Sequence, residues 1–169
     1  MTNFEKFAIF GFQLDVPSGW FIEFNRKMSR EKGEITFVDQ GGDSLAVHWG
    51  QTADALKRFP SLKDQRDFSI NQIRRGSNVL KVEILEDTEK ETPEEEILIT
   101  NVKVVLKEGK WTKGSLIRYV FSEHIRCKRL ERYYVVYAYS QRIEEIPHFR
   151  QIFDHVSQSF QSSTLIDYN

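Results

Sequence analysis

Two segments late in the chain constrain its fold most. Ser115 to Glu123 and Leu130 to Ser140 carry apolar residues at both odd and even positions: Tyr119, Phe121, Tyr133, Val135, Tyr137 and Tyr139 beside Leu116, Val120, Val136 and Ala138. Neighbouring residues of a strand point to opposite faces, so strands of this composition bury both. They belong in the middle of a covered sheet, and helices are the expected cover. Two further candidates alternate with one apolar row each. Asn78 to Asp87 has Leu80, Val82 and Ile84, and Glu96 to Lys107 has Leu98, Val102, Val104 and Leu106.

The N-terminal part continues the strand pattern. Phe10, Phe12, Leu14 and Val16 alternate with Gln13 and Asp15, and Pro17-Ser18-Gly19 reads as a turn. A short strand over Trp20 to Asn25 and a polar loop to Gly33 follow. Glu34 to Asp39 and Ser44 to Trp49 then flank Gln40-Gly41-Gly42-Asp43, which predicts a hairpin. After Gly50 the period changes. Thr52 or Asp54 can cap a first helix, Pro60 breaks it, and a second helix is expected from Pro60 or Ser61 through Leu62, Phe68, Ile70 and Ile73 to Gly76. The clearest helix runs from about Glu144 to Phe160, with Ile146, Phe149, Phe153, Val156 and Phe160 on one face and Pro147 in its first turn.

A chain of 169 residues with 40% hydrophobic and 29% charged residues suits one cored domain. The expected architecture is α+β: a mostly antiparallel sheet of roughly six to eight strands, with the Pro60-region helices and the C-terminal helix on its faces, an α/β/α sandwich. Residues 1–160 form the domain, and 161–169 are read as a flexible tail. No apolar run approaches the roughly 20 residues of a membrane span. The segment Met1 to Phe10 lacks the pattern of a secretory signal. The single cysteine, Cys127, excludes an internal disulfide. These features are expected of a cytoplasmic protein.

The opening Gly11-Phe12-Gln13-Leu14-Asp15-Val16-Pro17-Ser18-Gly19-Trp20 resembles the "F.L..P.GW" start of proteins similar to PsbP and to the Ran-binding Mog protein. The end resembles them too: paired strands Gly114 to Ser122 and Arg132 to Ser140 precede a helix whose Phe153, Val156, Ser159 and Phe160 match the "F..I..SF" ending, with valine for isoleucine. The resemblance implies an antiparallel sheet sandwiched by helices, and binding or assembly rather than catalysis. Its motifs are packing signatures, and partners differ across such proteins, so no partner transfers with the fold.

Phosphate-binding loops, the nucleophile elbow and paired-cysteine zinc spacings are absent from the sequence, and no cofactor or metal is expected. The sharpest nucleophilic grouping is Cys127 with His124, near cations that would favour a thiolate, yet a lone cysteine is more often a packing residue. His148 and His155 lie seven residues apart on one helix, about 10 Å, too far to share an ion. His48 is out of phase with Val47 and Trp49, which puts it on the sheet's second face.

Charge is bipolar. Glu83 to Glu96 holds eight acidic residues against Lys90, and Lys103 to Arg132 holds nine bases against three acids. Cross-strand ion pairs around a mobile Asp87 to Glu96 loop account for this, as does electrostatic docking of a partner. The leading reading is a non-enzymatic module that binds an unidentified protein through a patch at Arg126, Lys128, Arg129 and Arg132. The rival is a small-molecule binder or enzyme with a pocket between sheet and helix, involving His48, Trp49, His124 and Cys127. Nucleic-acid binding through Tyr133 or Tyr134 is disfavoured by the net charge of −1.

Overall fold

The computed structural model describes residues 2–25, 27–108, 114–140 and 146–163. Along the chain run β1 (Phe4–Ile9), β2 (Phe12–Pro17), β3 (Phe21–Phe24), β4 (Gly33–Val38) and β5 (Ser44–Gln51), then α1 (Thr52–Arg58) and α2 (Leu62–Arg74). Four long strands follow, β6 (Val79–Glu91), β7 (Glu95–Lys107), β8 (Ser115–Cys127) and β9 (Arg132–Ser140), before α3 (Ile146–Ser159) and β10 (Gln161–Ser162). The main sheet is ordered β3-β4-β5-β9-β8-β7-β6, with every pairing antiparallel. The two strands apolar on both faces therefore occupy interior positions, as their composition requires. α1 and α2 pack on one face, and α3 with the small sheet β1-β2-β10 packs on the other.

The larger core lies under α3. Trp49, Phe37, Phe121 and Tyr134 from the main sheet meet Phe12 and Leu14 of β2 and Phe149, Ile152, Phe153 and Val156 of α3. The smaller core, Ile70 against Val102, Val104 and Leu106, lies under α2. The hairpin between β4 and β5 forms at the expected residues, with Asp39 Oδ1 accepting from the amides of Gly41 (2.8 Å) and Asp43 (2.9 Å). At α2 the chain uses a signal the helix pattern did not include. Ser61 caps the helix, accepting from the Asp64 amide while the Asp64 carboxylate accepts from the Ser61 amide.

Several expectations are corrected. Phe10 is not a strand residue: Phe10 (φ 46°) and Gly11 (φ 86°) form the two-residue turn between β1 and β2, which needs positive φ at both positions and thus a glycine at one of them. β1 is a strand that the sequence pattern does not show, and its hairpin belongs to a separate small sheet. α1 begins at Thr52 with Gln51 as its cap residue, and no side chain caps it. Leu80, Val82 and Ile84 do not form a buried row: register shifts at Leu80 and Leu85 break the alternation, so that Val82 packs with Val79 on the smaller core while Leu80 and Ile84 are exposed. The acidic stretch is strand to Glu91, not a loop from Asp87, and β8 continues past Glu123 to Cys127. Gln161 and Ser162, expected in the tail, pair with Gln13 and Phe12. The expected helix start at Glu144 and the tail residues 164–169 lie outside the described residues.

Candidate ligand-binding cavity

Seven strands about 4.8 Å apart make a sheet close to 30 Å wide, whereas one helix with its side chains covers about 10 Å. α3 and the small sheet together cover one face. On the other face α1 has only seven residues and α2 lies over β6, β7 and β8. The middle of the sheet is left under a gap, and that gap is a cavity of about 710 Å³. Its size is that of small-molecule sites.

His48, Tyr133, Val135, Tyr137, Ser122 and His124 form the floor, and Arg58, Phe59, Gln65, Arg66, Phe68 and Ile73 contribute to the helical side. Gly50 pairs with Tyr133 in register, and a Cβ there would meet the Tyr133 ring at 2.6 Å. Glycine at this position is what allows the ring to lie across β5, edge-on to His48 with 5.5 Å between centroids. The inner face of α2 explains its imperfect apolar spacing: Gln65 and Arg66 are buried beside Leu62 and Ile70, while Phe68 is 41% exposed.

His124 is 2% exposed. Burial, reinforced by the charges of Arg66 and Arg126, pushes its pKa down to about 4, so the ring is neutral at pH 7. Burial also lowers His48, against the opposing effect of Glu34. The phenol of Tyr133 is raised by burial, and that of Tyr137 by burial and by the Glu34 carboxylate next to it, so both keep their protons. His124 Nδ1 and Gln65 Oε1 are buried and have no hydrogen-bond partner among the described residues. Arg66 is held by Asp67 (2.7 Å) and by Asp87, which also accepts from Thr100 (2.8 Å). Burial opposes the Arg66 charge, but these carboxylates outweigh it and raise its pKa. Arg58 differs from Arg66. It lies over the rings of Phe59 (5.2 Å) and Phe68 (5.6 Å) and forms no ion pair among the described residues.

Strand parity sorts the sequence-predicted residues. His48 and His124 line the cavity, but Trp49 and Cys127 point the other way into the larger core. The Cys127–His124 grouping is thus divided by the sheet. The thiol is hydrogen-bonded to Ser162 (3.1 Å) and Glu95 (3.4 Å), and burial pushes its pKa up to about 12, the reverse of the activation that neighbouring cations would give. The four bases separate as well. Arg126 is buried on the helical face, donating to the carbonyls of Phe59 (2.9 Å) and Pro60 (3.2 Å), and Arg132 is buried on the opposite face, donating to Phe10 O (2.7 Å). Lys128 and Arg129 are exposed, with Lys128 paired to Glu91 (2.7 Å). Arg129 and Arg132 do meet at a smaller cleft of about 280 Å³ that also includes Arg30 and Glu31. Tyr134, a proposed stacking ring, is wholly buried. His148 contacts Thr2 and His155 contacts Asp15, both at the surface.

Arg126→Met tests this assignment. With two carbonyls at the end of α1 left without their donor, a loss of about 1–3 kcal/mol in urea unfolding is expected. A cation serving only as a docking contact would leave stability unchanged.

Comparison with known proteins agrees on the fold. No family profile and no curated protein matches the chain. Among solved structures, the Saccharomyces cerevisiae Ran-binding protein Mog1p superposes with a TM-score of 0.64 at 13% identity, covering 99% of this chain and 97% of that one. A mutant of protein Mog1 gives 0.63 at 15% identity over 98% and 97%. The PsbP protein CyanoP from Synechocystis sp. gives 0.59 at 14% over 96% and 94%. The chain has the Mog and PsbP fold. No helix among the described residues is long and apolar enough to cross a membrane.

Proposed function

We propose that this protein is a binding module and that its binding site is the cavity between α2 and the main sheet. The observation that carries this reading is a 710 Å³ space with apolar walls and converging polar side chains in place of a filled core. Binding is preferred to catalysis because the cavity hydroxyls of Ser69 and Ser122 each donate to a backbone carbonyl, and the only thiol lies behind the sheet. The solved structures with this fold include one named for binding Ran, which supports a binding role without identifying what is bound here.

A second reading, docking of a protein partner, has its own observation. Edge strand β3 leaves Phe21 60% and Phe24 54% exposed, and an uncovered apolar edge is a common place for another chain to add. Of the four bases first considered for a partner, Lys128 and Arg129 are the two with exposed side chains.

Titration with the fluorescent probe 1-anilinonaphthalene-8-sulfonate separates the two readings. Saturable binding that falls at least tenfold in Val135→Phe, which narrows the cavity floor, and survives in Phe24→Ser is expected. The opposite pattern would move the site to the β3 edge.

A further inference from the structure

Resting on the cavity reading, we infer that the ligand is a monocarboxylate with an apolar body, its head group seated at Arg58. Each other charged group among the described residues of the lining is already engaged. Asp54 is paired with Lys57 at 3.0 Å, Arg66 with Asp67 and Asp87, and Glu34 is held beside the Tyr137 hydroxyl. Arg58 alone among these has no carboxylate partner.

Its setting favours a planar anion. The guanidinium lies against Phe59 and Phe68, and a ring face directs the fork of N–H donors to the remaining directions. A carboxylate matches that fork with two parallel hydrogen bonds. Tyr133, protonated and close enough to feel the Arg58 charge, adds a hydroxyl donor on the floor. The lining also includes Ile73, Val102, Val120 and Val135, against which a hydrocarbon body would lie. A phosphate dianion fits less well, because its second charge would find no second unpaired cation among the described residues of the lining and would be repelled by Asp54 and Glu34.

The test uses three probes with one eight-carbon chain: octanoate, 1-octanol and octylammonium, titrated calorimetrically into the full chain and into Arg58→Gln. Octanoate is expected to bind at least tenfold more tightly than octanol, and Arg58→Gln is expected to remove that advantage while leaving octanol binding unchanged. Raising the salt concentration should weaken octanoate alone. Equal affinity for octanoate and octanol, or an advantage that persists in Arg58→Gln, would overturn the carboxylate assignment and leave the cavity reading standing. Preference for octylammonium would overturn it in favour of Glu34 as the anchor. Failure of all three probes to bind would count against the cavity reading itself.

Discussion

His124→Phe is expected to flatten the dependence of stability on pH between about 6.5 and 4. In the folded chain His124 is neutral down to pH about 4, whereas its ordinary value is 6.5. Between these values the unfolded chain takes up a proton that the folded chain refuses. The stability associated with His124 is therefore complete above pH 6.5 and is lost as pH falls toward 4, by roughly 3 kcal/mol. The groups acting on the ring are Arg66 from α2 and Arg126 from its own strand, which disfavour the imidazolium, and Asp87 from β6, which favours it weakly. Glu123, on the other face of β8 and accepting from Ser157, works in the opposite sense. Burial raises its pKa, so its contribution is present at low pH and is lost as pH rises through the folded value. Urea unfolding at pH 7, 5.5 and 4.5 of wild type, His124→Phe and Glu123→Gln resolves the two. The histidine variant should lose less stability than wild type on acidification, and the glutamine variant should lose more. Parallel profiles would mean that His124 titrates freely in the folded protein.

Trp49→Ala is expected to cost about 3–5 kcal/mol and to lower the melting temperature by roughly 10 °C. The indole is fully buried, tilted against Phe10 (5.7 Å) and Phe12 (5.3 Å), and its Nε1–H donates to Ser29 O at 2.9 Å. Truncation removes contacts that join β5 to the small sheet and leaves the Ser29 carbonyl without its donor. If Trp49 instead lined the ligand cavity, as its place next to His48 first suggested, the same change would enlarge the cavity, alter probe affinity and cost little stability. Thermal unfolding and octanoate titration of the variant distinguish these outcomes. The structure predicts a large stability loss with unaltered affinity under conditions where the variant is folded.

The layering was legible because apolar residues stand at both odd and even positions of β8 and β9, as Phe121, Val135, Val136 and Ala138 do, whatever the register. The β4–β5 hairpin was legible because Asp39 to Asp43 carries its own turn chemistry. β1 was not, because Phe4-Glu5-Lys6-Phe7 gives no alternation and its partner β2 is joined by a turn that includes Phe10, an aromatic residue at positive φ. The bulges in β6 were also hidden, since each inserted residue shifts the period of an otherwise regular row. For the site, parity could have separated His48 from Trp49, which as sequence neighbours in one strand cannot share a face. Arg58, Gln65 and Arg66 carried a weaker signal. Gln65, Arg66 and Ser69 fall on the same helical stripe as Leu62, Ile70 and Ile73, a polar interruption that marks a face turned toward something other than a packed core. The separation of Arg126 from Arg132 could not be read without knowing where β8 ends.

Methyl-resolved NMR during an octanoate titration tests the central claim most directly. Val102, Val120, Val135, Ile70 and Ile73 line the cavity, whereas Val47, Val136, Ile152 and Val156 lie in the core behind the sheet. The account predicts intermolecular NOEs and saturable shifts in the first set, with the second set unmoved. NOEs confined to Ile22 and the β3 edge, with the cavity methyls silent, would contradict it.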